Sequence, residues 1–159
     1  MINARLTADM LRHIPLFAGC EPAHLQVLAF SSERAEFPAG VTMMTAGEAG
    51  TAALLLLSGS AEVWTASDAG PKVIAVAKAG TLLGELGMIA GIASSINATA
   101  STPIIAARIG RRIFMRVVEE FPEFGTAVLG ALAHKLEGSM EDFAHVRRLF
   151  EEGNRPLAR

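Results

Sequence analysis

Glycines interrupt the middle of the chain about every ten residues. Gly40, Gly47, Gly50, Gly59, Gly70 and Gly80 divide residues 32–109 into short pieces, which suggests many short strands joined by turns. Between them lie the candidate strands 41–45, 53–58, 60–65 and 72–77. The run Ser67-Asp68-Ala69-Gly70-Pro71 reads as a hairpin turn. Short antiparallel strands at this spacing favour a barrel or jelly roll over a parallel sheet.

Helical patterns flank this zone at residues 3–31 and 111–150. Leu6, Met10 and Leu11 share a face, Pro15 interrupts, and Pro22 opens a second short helix carrying Leu25, Leu28 and Ala29. A helix over 112–120 ends near Phe121-Pro122. Beyond it Leu129, Leu132, Leu136, Ser139, Phe143, Val146 and Phe150 recur in steps of three and four, a heptad seam with one polar position at Ser139. Such a stripe either packs on its own barrel or pairs with a second copy. A seam this long outruns the surface of a small barrel. The expectation is a homodimer through Leu129, Leu132, Leu136, Phe143 and Val146. Gly153 and Pro156 mark residues 151–159 as a tail.

With 159 residues, 51% hydrophobic and 19% charged, the chain suits a single globular domain over 1–150. Fourteen basic residues against sixteen acidic leave a net charge of -2, which disfavours electrostatic binding to nucleic acid. Only nine residues follow Phe150, so no direct DNA-recognition module is expected. One cysteine, Cys20, excludes a disulfide framework and a multi-cysteine metal site. His13, His24, His134 and His145 show no ligand spacing, so neither a metal cofactor nor enzyme activity is expected. Residues 1–13 carry no signal-peptide core, and the longest apolar run, 52–57, falls far below the ~20 residues of a membrane helix. A cytoplasmic location with no membrane contact is expected.

Residues 79–91, Ala-Gly-Thr-Leu-Leu-Gly-Glu-Leu-Gly-Met-Ile-Ala-Gly, carry the most chemical information. A strand leads into Gly84, and Glu85 to Ile89 can form a helical turn whose free N–H groups suit an anion. Glu85 is a lone carboxylate in an apolar run. It either braces its own loop or accepts a bond from a ligand hydroxyl.

From residue 14 to residue 150 the chain resembles the cyclic nucleotide-binding domain family, typified by the bacterial catabolite activator and the regulatory subunit of protein kinase A. The likeness rests on Ile14-Pro15-Leu16-Phe17-Ala18-Gly19, Phe37-Pro38-Ala39-Gly40, Gly47-Glu48, the 55–63 hairpin segment, Gly84-Glu85-Leu86, Phe114 and Phe121-Pro122. It implies a mainly β fold with flanking α-helices: an eight-stranded jelly-roll barrel over 32–109, N-terminal helices and a long C-terminal lid or dimer helix. The implied ligand is cAMP or cGMP. Glu85 would then accept a bond from the ribose 2′-hydroxyl, while Gly84, Leu86 and Gly87 surround ribose and phosphate. Ser95 matches the small or hydroxyl residue facing the phosphate. Ser139 falls either at an adenine contact or at a seam position that sets register.

One departure stands out. The family's cassette places a phosphate-binding arginine ten residues after the glycine, and Ser94 occupies that position here. Losing such a charge-assisted pair costs on the order of 2–5 kcal/mol. Hydroxyls of Ser94 and Ser95 and backbone N–H groups recover part of it. The nearest downstream basic residue, Arg108, is expected at the end of the last strand, where no loop shift brings it into play. Two functions follow: a cyclic nucleotide sensor that moves its lid helix and signals to an unidentified effector protein, or a degenerate module that only dimerises and binds other proteins.

Overall fold

The structure, a computed structural model, describes residues 2–135 and Arg148. Helix α1 (Ala4–Arg12) starts at Asn3, whose side-chain oxygen accepts a hydrogen bond from the Leu6 N–H. A 3₁₀ turn at Pro15–Phe17 and helix α2 (Pro22–Phe30) follow, each with proline in its first turn, where a missing N–H costs nothing. Eight strands come next: β1 (Glu33–Phe37), β2 (Thr42–Met44), β3 (Ala52–Ser58), β4 (Ala61–Ser67), β5 (Gly70–Ala77), β6 (Leu82–Leu83), β7 (Asn97–Ala100) and β8 (Ile104–Gly110). Helix α3 (Glu85–Ala90) lies between β6 and β7, and α4 (Arg111–Glu120) and α5 (Pro122–Lys135) complete the described chain. The fold is mainly β with flanking helices, as the glycine spacing predicts.

The strands form two four-stranded antiparallel sheets, ordered β1-β8-β3-β6 and β2-β7-β4-β5, rather than one barrel closed by hydrogen bonds. Gly40, Gly47, Gly59, Gly70 and Gly80 have φ between 86° and 105°, so their spacing marks turns that side chains rarely adopt. β3 and β8 pair with Leu54 opposite Arg108 and Leu56 opposite Ala106. The alternate residues Ala53, Leu55, Ala107 and Ile109 face outward into a core shared with the helices, where Phe17, Phe114 and Phe124 are fully buried. Leu54, Leu56, Ile104 and Ala106 face the second sheet in a separate core. At the far edge, β5 leaves Val73, Ile74 and Val76 exposed.

The C-terminal helix departs from expectation. Leu132, expected at a dimer seam, is completely buried in the chain's own helical core, and Leu129 packs half-buried against the same core. Steps of three and four produce the same stripe whether a helix lies on its own domain or on a partner. Here the first two seam positions are used internally. Leu136, Ser139, Phe143, Val146 and Phe150 lie outside the described residues. Among the described residues no helix is long and apolar enough to cross a membrane.

Cys20 sits in the helical core, and burial pushes its thiol from 9.0 up to about 11. Below pH 9 the thiol is protonated in both folded and unfolded chains. Between pH 9 and about 11 the unfolded thiol ionises first, so the unfolded state holds fewer protons and stability falls. Denaturant titrations across this window should show a steeper loss for the native protein than for Cys20→Ala. Parallel curves would mean that the thiol is not buried.

Candidate functional site

A cavity of about 520 Å³ opens between the β2–β3 loop, helix α3, the loop before β7 and the inner face of β8. Gly84, Glu85, Leu86, Gly87, Ser94 and Ser95 all line it. Gly84 caps α3 in the left-handed conformation, φ 80° and ψ 27°, and a Cβ there would lie 2.7 Å from Met44 Cε. Opposite α3, Gly50 brings its backbone against Gly87. A Cβ on Gly87 would lie 2.7 Å from Gly50 Cα, and one on Gly50 would collide with Gly87 Cα and the Ile92 carbonyl oxygen. Gly50 therefore does different work from the turn glycines: it permits close approach.

Main-chain bonds hold the two loops together. The Gly47 N–H donates to the Ser94 carbonyl at 2.8 Å, and the Ser94 N–H donates to the Glu48 carbonyl at 3.2 Å. Buried Asn97 extends the brace, accepting from the Ala46 N–H at 2.9 Å and donating to the Trp64 carbonyl at 3.3 Å. The Trp64 indole N–H donates to the Thr99 hydroxyl at 3.0 Å, tying β4 to β7. Sequence reasoning missed Asn97. A polar residue where β7 begins was its only signal.

The polar side chains are placed unequally. Glu85, mostly buried, pairs with Lys135 in the last described turn of α5. The Ser94 hydroxyl donates to the Ile96 carbonyl at 2.7 Å and accepts from the Ile96 N–H at 3.2 Å, so its own loop occupies it. Ser95 is exposed at the wall. Three lining residues carry charge: Glu48, Glu85 and Arg108. The placement of Arg108 corrects the expectation that it lies out of reach. Pairing opposite Leu54 turns it inward, and its guanidinium lies 3.5 Å from the Thr51 hydroxyl. Ser139 lies outside the described residues.

The model of the cyclic nucleotide-binding domain family matches residues 34–121, more than half of the chain, and the chain belongs to that family. The chain is 31% identical over 129 residues to an uncharacterized NTE family protein of Mycobacterium tuberculosis, a match covering 81% of this chain and 22% of that protein. It is 29% identical over 114 residues to the cAMP-dependent protein kinase regulatory subunit of Aspergillus fumigatus, covering 72% of this chain and 27% of that one. The matches thus span roughly a quarter of each relative's length. Among solved structures, the N-terminal domain of a transcriptional regulator from Streptomyces coelicolor superposes with a TM-score of 0.75 at 26% identity, covering 82% of this chain and 94% of that one.

The contact between Gly50 and Gly87 leaves no room for a side chain on either backbone. Gly50→Ala should destabilise the protein by about 1–3 kcal/mol through backbone displacement, read as a lowered denaturant midpoint. An unchanged midpoint would mean that the loop does not dock on α3.

Proposed function

We propose that this domain binds a cyclic nucleotide, cAMP or cGMP, and acts as a regulatory sensor through a shift of its C-terminal helix. The carrying observation is the cavity of about 520 Å³, walled by the family's cassette and holding the mostly buried carboxylate of Glu85. That volume lies within the roughly 300–1,000 Å³ of small-molecule sites. Glu85 is the residue proposed to accept the ribose 2′-hydroxyl, and it is already paired with Lys135 of α5. A ligand hydroxyl at Glu85 competes with Lys135, loosening the link between cassette and helix. The ligand then favours whichever helix position lacks that pair, and an effector protein reads the change.

Self-association belongs to the same proposal. Leu132 is taken by the internal core, so a homodimer would use the half-buried Leu129 together with Leu136, Phe143 and Val146. Light scattering should give a dimer mass for the native chain and a monomer mass for Leu136→Glu. An unchanged mass would remove the seam from the proposal.

The second reading, a degenerate module without nucleotide, has one observation in its favour. Ser94 carries no charge, and its hydroxyl is bonded within its own loop. Calorimetric titration separates the two readings. The sensor predicts micromolar or tighter binding of cAMP or cGMP. Glu85→Ala should weaken it about 10- to 150-fold, the effect of losing a hydrogen bond to a charged group. Lys135→Gln should strengthen it up to about fivefold, because a pair whose lysine is open to solvent opposes the ligand by only about 0.2–1 kcal/mol. No heat with either nucleotide would leave the interaction module standing.

A further inference from the structure

We infer that Arg108 supplies, from the inner face of β8, the cation that the cassette lacks at Ser94, so that the cavity takes a ligand carrying one phosphodiester anion. This rests on the nucleotide-binding reading above and names the residue that would make it work.

Strand alternation provides the first support. Ile104, Ala106 and Arg108 are spaced by two along β8, and the first two belong to the core between the sheets. Arg108 continues that face to the point where the apolar core gives way to the cavity. Its cross-strand neighbour Leu54 faces the same way and also lines the cavity.

Charge provides the second. Arg108 is the one basic residue among those lining the cavity. Among the described residues no carboxylate forms an ion pair with it. Its side-chain partner is the Thr51 hydroxyl, at the long distance of 3.5 Å. Of the two cavity carboxylates, Glu85 is taken by Lys135, and Glu48 is exposed. A half-buried guanidinium with one weak neutral partner retains donors for an anion.

Position provides the third. Thr51 lies between Gly50, which touches Gly87, and Ala52, whose carbonyl oxygen would lie 3.1 Å from a Cβ on Gly84. The Arg108 head group is therefore held beside the chain segment that packs on the start of α3. A ligand with a hydroxyl at Glu85 and its anion toward β8 would engage both groups.

The test is calorimetric titration with cAMP of the native protein, Arg108→Gln, Arg108→Lys, Ser94→Arg and the double variant Arg108→Gln/Ser94→Arg. Arg108→Gln should weaken binding about thirtyfold to several thousandfold, with Arg108→Lys retaining part of the affinity. Ser94→Arg should restore binding to the Arg108→Gln protein, which a packing role for Arg108 would not allow. Native affinity in Arg108→Gln would overturn the inference and leave the nucleotide reading intact. Equal loss in both Arg108 variants without recovery in the double variant would also overturn it, as a packing effect. A silent native protein beside a binding Ser94→Arg protein would show that the cavity fits the nucleotide and that Arg108 does not serve it. Silence of both proteins toward cGMP as well as cAMP would end the nucleotide reading and this inference together.

Discussion

Strands β3 and β8 are apolar on both faces, and a sheet apolar on both faces has to be covered twice. The helices cover Ala53, Leu55, Ala107 and Ile109, while the second sheet covers Leu54, Leu56, Ile104 and Ala106. The molecule therefore has two cores divided by one pair of strands. The cavity begins where the inner core runs out, beside Leu54 and Arg108. Helix α3 stands over this boundary, with Met88 and Ile89 buried in the helical core while Gly84, Glu85 and Leu86 line the cavity. A single covering requirement thus places the site and connects it to the helices.

Cavity shape and cavity chemistry come from different parts of the chain. The loops of the wall are held by main-chain contacts, Gly50 against Gly87 and Gly47 and Glu48 bonded to Ser94, and by the Asn97 side chain bonded to Ala46. Such a wall keeps its form when exposed side chains change. The charges sit on Glu48, Glu85 and Arg108, each supplied by a different segment. The cavity is therefore present although Ser94 contributes no charge to it.

Much of the fold was legible because turns demand glycine for a local reason. Five regularly spaced glycines have positive φ, and that requirement is visible without knowing what packs where. The segment Gly84-Glu85-Leu86 was legible for the same reason, since a left-handed cap before a helical turn leaves a short signature. Gly50 looked like another turn, yet its purpose is close approach to Gly87, which no local pattern records. Arg108 stands near the end of the last strand, as expected, but its reach into the cavity was not legible because Ile104, Ile105, Ala106, Ala107 and Ile109 are all apolar. With no alternation in polarity, the face of a lone arginine is set by its register against β3. Leu132 was misread because helical periodicity identifies a buried stripe without identifying what buries it.

Affinity and signalling fall to different residues in the proposed sensor. Arg108 lies on a strand paired on both sides, with β1 and β3, and its side-chain partner Thr51 lies outside α5. An anion held there gains the same contact in either helix position, and a contact equal in two states shifts no population. Glu85 differs, because its partner Lys135 belongs to the helix itself. Exchanging Lys135 for a ligand hydroxyl changes the energy of one helix position and leaves the other unaffected. A pair whose lysine is open to solvent, worth about 0.2–1 kcal/mol, alone moves an equilibrium at most about fivefold. A large switch therefore requires further ligand-sensitive contacts along the C-terminal helix, beyond Lys135.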